Sequence, residues 1–218
     1  MAVRWYCRYP LSYRDVRTLL AERGITVDAA TIYRWVQQFG PEIRKRAYGQ
    51  HRSWRGLQWH VDETYGRVNG RWCYLGRAVD QRGQLIDFRL TARRNASAAR
   101  AFMRQASETG RCYQPVTIVT DKAHSYAKVI EEMNFGNGPD DRIRHVDRKY
   151  LNNRIEADHA ALKQLLRPKR DFRKVASAKN TLKGIETHRA IKKGRFANNE
   201  PGVLNEVAFV ANQCKSAA

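Results

Sequence analysis

Asp62, Asp121 and Glu156 are three carboxylates set in three different local patterns, and together they offer only oxygen donors. Such a set concentrates negative charge, which suits Mg²⁺ or Mn²⁺ and suits zinc poorly. Two such ions, roughly 3.5–4 Å apart, activate an attacking oxygen and stabilise the leaving oxygen of an in-line phosphodiester displacement without a covalent protein intermediate. Glu156, His159 and Lys163 stand at i, i+3 and i+7, one face of a helix, so Lys163 is a candidate to hold a phosphate beside the carboxylates. In isolation, a solvated Glu–Lys face around a packed histidine is the commoner meaning of that spacing. Glu63 and Asp80 are rival carboxylates. Strand alternation turns Glu63 away from the face bearing His60 and Asp62, and Asp80 closes a strand, where a turn or capping role is expected.

The elements that must position these groups follow from hydrophobic period. Strands are expected over residues 57–68, 71–80 and 84–93, with Asn69-Gly70 as a tight hairpin turn and Gln81-Arg82-Gly83 as a second turn. A helix over 96–108, a short buried strand over 116–120, a helix over 123–133, a strand over 143–146 and a long basic helix from about Asn153 follow. The order βββαβαβα is that of an α/β, ribonuclease H-like mixed sheet with helices on both faces. Asp62 then lies on the first strand, Asp121 just past the fourth and Glu156 in the first turn of the last helix. In that fold the first and fourth strands are central neighbours, so three elements can deliver the carboxylates to one point.

Ahead of the sheet, Ser12 is placed to cap a helix carrying Val16, Leu19 and Leu20 on one face, and Gly24 stops it. After a turn, Asp28 caps a second helix running to Phe39 with Ile32, Trp35 and Val36 inward. This is helix-turn-helix spacing, and an ordinary helical hairpin shares it. Thr31, Tyr33, Arg34, Gln37 and Gln38 form the outer face, with the groups that read base edges or grip phosphates. The expected domains are a helix-turn-helix module over 1–40, a basic linker over 41–56 including Arg44, Lys45, Arg46, Arg52 and Arg55, a catalytic domain over 57–168, and a basic C-terminal helical extension over 169–218.

Composition points to a polyanionic partner. The chain has 41 basic against 21 acidic residues, a formal charge of +20. Residues 142–195 alone carry 17 basic and 5 acidic residues, a net of +12, so DNA is expected along the lobe bearing Glu156. No apolar run approaches the roughly 18 residues of a membrane span, and the first ten residues lack the apolar core of a signal peptide. A cytoplasmic, DNA-associated protein is expected, with no membrane partner. Cys7, Cys73, Cys112 and Cys214 show no metal-binding spacing and are expected as reduced thiols. Trp59 and Trp72 are read as core, with base stacking assigned, if anywhere, to Trp54.

Several of these stretches resemble DDE-type transposases of bacterial insertion sequences, specifically family six. Tyr33-Arg34-Trp35-Val36 is similar to the end of that family's DNA-binding helix. Trp59 through Asp62-Glu63-Thr64-Tyr65 and Val68-Asn69-Gly70-Arg71-Trp72 look like its first catalytic strands, and Thr120-Asp121-Lys122-Ala123 like its second catalytic segment. The most specific stretch is Tyr150, Asn152-Asn153, Ile155-Glu156, Asp158-His159 and Leu162-Lys163, followed by Lys183-Gly184-Ile185-Glu186, with 34 residues between Asp121 and Glu156. The resemblance covers nearly the whole chain. It implies Mg²⁺-dependent transposition through cointegrates, recognition of terminal inverted repeats by the helix-turn-helix, and a homodimer or larger assembly on element ends and target DNA. Family members usually begin with a further short segment, so this chain is expected to begin inside a helix at Ala2-Val3-Arg4-Trp5-Tyr6. Two other readings stay open on these residues: a non-catalytic DNA-binding protein, and a nuclease or junction resolvase that cuts without joining.

Overall fold

The computed structural model describes residues 1–49, 58–109, 114–121, 124–147, 153–169 and 172–215. In chain order the helices and strands are α1 (Ala2–Arg8), α2 (Tyr13–Ala21), α3 (Ala29–Gly49), β1 (Gln58–Val68), β2 (Arg71–Asp80), β3 (Leu85–Thr91), α4 (Ala96–Thr109), β4 (Thr117–Thr120), α5 (His124–Met133), β5 (Arg144–Asp147), α6 (Asn153–Leu166), α7 (Val175–Lys192) and α8 (Val203–Lys215). They form two compact units, residues 54–161 and residues 1–53 with 162–218.

The first unit is built on a sheet of order β3-β2-β1-β4-β5. β1, β2 and β3 pair antiparallel, while β4 lies parallel to β1 and β5 parallel to β4. With α4, α5 and α6 interleaved, this is the ribonuclease H-like order expected from periodicity. Asn69 and Gly70, at φ 53° and 71°, make the β1–β2 turn in the left-handed region whose twist matches antiparallel strands. Asp80 organises the next turn, its Oδ1 accepting from the backbone N–H groups of Arg82 and Gln84 at 2.8 and 2.7 Å. Trp59, Val61, Ala78 and Ile118 of the sheet bury themselves with Phe102 and Met103 of α4 and Tyr126 and Ile130 of α5. Because strand side chains alternate, His60, Asp62 and Thr64 point to the opposite face. Trp72, expected in the core, is instead 49 % exposed. It lies beside the hairpin turn, where Tyr65 meets it edge to face at 5.2 Å and the Arg67 guanidinium covers its ring at 4.6 Å.

The second unit is helical. Ser12 caps α2 as expected, and the capping box is reciprocal: Ser12 Oγ accepts from Asp15 N–H at 3.3 Å, and Asp15 Oδ2 accepts from Ser12 N–H at 2.8 Å. Gly24, at φ 72°, ends the helix while Ile25 N–H returns to the Leu20 carbonyl at 3.0 Å. The Asp28 carbonyl opens α3 by accepting from Ile32 N–H. The expected stop at Phe39 does not occur, because α3 continues through Gly40 and Pro41 to Gly49. Gly40 has no Cβ to clash with the Pro41 ring. It is also a crossing point: a Cβ there would lie 3.2 Å from the Asn180 carbonyl oxygen and 3.4 Å from Gly184 Cα of α7. The residues expected to form the first part of a linker are therefore helix, and those from 50 to 56 lie outside the described residues.

The segment expected as a C-terminal extension supplies the centre of this unit. Ten residues of α7 are buried, on nearly all sides of the helix, among them Leu182, Ile185, His188 and Ile191. Ile191 joins Ile43, Ala47, Phe196 and Phe209 in one apolar cluster. Glu206 of α8 receives Arg4 at 3.2 Å and Arg8 at 3.0 Å from α1. The terminal segments thus share one core.

Among the described residues no helix is long and apolar enough to cross a membrane. Cys7, Cys73 and Cys214 are free thiols, and burial pushes Cys7 up to about 12. Arg52, Trp54, Arg55, Cys112, Lys122, Ala123, Tyr150 and Asn152, all named above from the sequence, and the first residue of the strand expected over 57–68 lie outside the described residues.

Candidate active site

Asp62 sits on β1, the strand that carries both an antiparallel and a parallel neighbour. The parallel ladder to β4 ends at Val61↔Thr120, so the next residues in register are Asp62 and Asp121. Adjacent strands run about 4.8 Å apart, which brings the two backbones side by side where β4 ends. Thr120 is anchored by its Oγ1, 2.8 Å from His145 Nε2 on β5, so the position from which Asp121 departs is pinned from the far side. Asp62 Oδ1 accepts from the backbone N–H of Glu63 at 2.7 Å, and its Oδ2 lies 3.4 Å from His159 Nδ1.

α6 comes over the same face. Ile155, His159 and Leu162, at i, i+4 and i+7, are its buried stripe, while Glu156 and Lys163 are exposed. His159 is therefore a packed side chain that also touches Asp62. Next to it, Asp158 Oδ2 meets the Arg77 guanidinium at 2.5 Å. Arg77 is fully buried and sits directly opposite Asp62 in the β1–β2 register, hence on the same face. Two successive residues of α6 are thus tied to two cross-strand partners, one turn or less from Glu156.

Glu63 takes the other face, as alternation requires: its Oε1 accepts from the Tyr126 hydroxyl at 3.0 Å and its Oε2 meets Arg94 at 2.8 Å. Both it and Asp80 have structural partners. Arg77 is a residue that the sequence patterns above did not single out. The signal is present: a guanidinium inside the run Leu75-Gly76-Arg77-Ala78-Val79 must be buried with its strand, and a buried charge requires a partner.

A hard divalent cation matches the donor chemistry of Asp62, Asp121 and Glu156, all oxygen ligands, and the first two directly follow the last paired residues of neighbouring strands. Among the described residues no group of three His, Cys, Asp or Glu side chains is close enough to hold a metal ion. The fit lies in donor type and backbone position.

The outer face of α3 divides. Arg34 and Gln38 are exposed and Thr31 is half-buried. Tyr33 and Gln37 turn their polar atoms to α7 instead: the Tyr33 hydroxyl lies 2.8 Å from Ser177 Oγ, and Gln37 Nε2 donates to Thr181 Oγ1 at 3.0 Å. Tyr33 nevertheless remains exposed, and Gln37 is half-buried.

The profile of the DDE domain of IS240-type transposases matches residues 56–195. The transposase for the insertion sequence-like element IS431mec of Staphylococcus aureus strain Mu50 is 40% identical over 197 residues, covering 88% of this chain and 83% of that protein. The transposase for insertion sequence element IS257 in transposon Tn4003 of Staphylococcus aureus is 39% identical over the same length and coverage. Among solved structures, the HTLV-2 integrase catalytic core domain in complex with magnesium (trimeric form) superposes with a TM-score of 0.45 at 17% identity, covering 61% of this chain and 84% of that one.

Proposed function

Because this chain belongs to the DDE transposases of bacterial insertion sequences, family six, we propose that it binds the terminal inverted repeats of its element and both cuts and joins DNA with Asp62, Asp121 and Glu156. The observation that supports the reading is the β1–β4 ladder, whose last pair, Val61 and Thr120, directly precedes Asp62 and Asp121, together with the approach of His159 of α6 to Asp62. Bound at the three carboxylates, Mg²⁺, or Mn²⁺ in its place, supplies Lewis-acid activation of the attacking oxygen and charge stabilisation of the leaving oxygen. His159 orients the Asp62 carboxylate through Oδ2. The Arg77–Asp158 pair fixes the height of α6, and with it the position of Glu156 in its first turn. Water is the nucleophile for nicking and a DNA 3′-hydroxyl for joining, so one set of side chains serves both displacements. Lys163, two turns beyond Glu156 on α6, holds a DNA phosphate.

Recognition of the element ends falls to Arg34, Gln38 and Thr31 of α3, with Tyr33 and Gln37 setting that helix against α7. Two ends must be held together, so a homodimer or larger assembly forms on DNA. The test is strand transfer of a labelled element end into plasmid with Mg²⁺, comparing the chain with Glu156→Gln. Joined product from the parent alone, with DNA binding of the variant within about twofold, is the expected result. Cleavage without joining would make the protein a nuclease, and binding with neither would make it a DNA-binding regulator.

A further inference from the structure

The helical unit contains an open cavity of about 480 Å³, within the roughly 300–1,000 Å³ typical of small-molecule sites. Two buried groups form its floor, Tyr6 and Lys169. The Lys169 ammonium donates to the carbonyls of Tyr9 and Leu11 at 2.9 and 3.0 Å and lies 4.3 Å from the centroid of the Tyr6 ring. Burial holds it down to about 8. Two carbonyls and a π-face surround this cation, Asp15 acts on it from outside the lining, and no carboxylate lines the cavity itself among the described residues. The site therefore favours an anion.

Its walls are flat and aromatic. Tyr13 stacks on Tyr6 at 4.1 Å with 5° between the planes, Tyr33 meets Tyr13 edge-on at 5.8 Å, and Phe172 completes the lining. Ala29 and Ala30 leave room where larger side chains would fill it. At the mouth stand Arg173 and Lys174, both exposed. Lys174 is also the N-cap of α7, with no side-chain capping bond, and no acidic residue follows in the first turn. The leading N–H groups of an 18-residue helix thus end at this mouth, beside two cations, where a phosphate is stabilised.

Aromatic walls and an anion-seeking mouth match the two halves of a nucleotide. A paired base inside a duplex cannot enter such a cavity, whereas an unpaired one can stack on rings irrespective of its identity. We propose that this cavity takes one unpaired nucleotide of bound DNA, its base against Tyr33 and Phe172 and its phosphate at the start of α7. The inference rests on the DNA-binding reading above and is independent of the three carboxylates.

Photocrosslinking tests it, in EDTA so that no strand chemistry contributes. The probes are a duplex of arbitrary sequence with 5-iodouracil in a single-stranded overhang, the same duplex with 5-iodouracil paired, and free 5-iododeoxyuridine monophosphate. The overhang probe should form an adduct at Phe172 or Tyr33 and the paired probe none there. Phe172→Ala should lower the yield about tenfold, as expected for loss of a stacking platform, and Phe172→Trp should restore it. Arg173→Glu, at an exposed position, should remove the preference for overhang over blunt DNA without changing thermal stability. Adducts confined to other residues, or a yield indifferent to Phe172→Ala, would overturn the assignment. So would equal labelling by the free nucleotide, which would make the occupant a soluble nucleotide. A protein that binds neither duplex overturns the DNA-binding reading along with this one; a protein that binds duplex but leaves the cavity unlabelled overturns this one alone.

Discussion

Arg77 in the sheet unit and Arg4 in the helical unit are both buried cations with carboxylate partners, yet they do different things. Arg77 meets Asp158 across 81 positions of sequence and ties α6 to the strand beside Asp62. Arg4 and Arg8 meet Glu206 across 202 and 198 positions and tie the first helix to the last. Buried ion pairs contribute little net stability against apolar replacements, because desolvation offsets the attraction; what they enforce is one arrangement over its competitors. In the sheet unit the arrangement enforced is that of α6, the helix that carries Glu156. In the helical unit it is that of a scaffold closed by its own termini.

This contrast can be broken by removing one partner at a time. Glu206→Ala should cost about 3–5 kcal/mol in urea denaturation, and Arg77→Ala a loss of the same order, since each removes one side of an ion pair with a buried member. Per folded molecule, Arg77→Ala should also depress strand transfer while Glu206→Ala should leave it near the parent value. Equal activity losses would show that the two pairs serve the same purpose.

The helical unit should also respond to acid through His188. This side chain is buried, its Nδ1 donates to the Gly184 carbonyl at 2.8 Å, and burial holds it down to about 4, below its ordinary 6.5. Since the folded form resists protonation, stability is complete above about pH 6.5 and declines as pH falls toward 4, by up to about 3 kcal/mol. Thermal melts of His188→Leu should lose this slope between those pH values; an unchanged slope would place the titration elsewhere.

Gly184→Ala probes the crossing of α3 and α7 directly. The added Cβ would stand 2.9 Å from Cys7 Sγ and 3.2 Å from Gly40 Cα, so a loss of about 1–3 kcal/mol is expected, and no loss would mean that the helices separate freely. The smallest effect should be Ser12→Ala, about 1 kcal/mol from the lost capping bond, read as a shift in denaturation midpoint with unchanged slope.

The β-strands and the helices packed on them are largely legible in the amino-acid sequence. Alternation and helical periodicity, the Asn69-Gly70 turn and the positions of Asp62, Asp121 and Glu156 are local signals, and the secondary structure follows them closely. The helical unit is legible only in pieces. Gly40-Pro41 reads locally as a break, and nothing within a few residues announces that Gly184, far along the chain, needs that glycine for close approach. That the Tyr33 hydroxyl and the Gln37 amide also meet Ser177 and Thr181 is likewise not signalled locally, because α7 lies more than 140 positions along the chain.

By itself, then, the sequence determined the order of elements, the mixed sheet, the basic charge and the three carboxylates, since each depends on residues near one another or on composition. Tertiary structure alone decided that Arg77 holds α6, that Trp72 is exposed, that α7 is a core helix and that a cation-floored aromatic cavity lies between α1, α3 and the start of α7. Those features depend on pairs of residues separated by tens to hundreds of positions, whose mutual approach is set by packing and which no local period encodes.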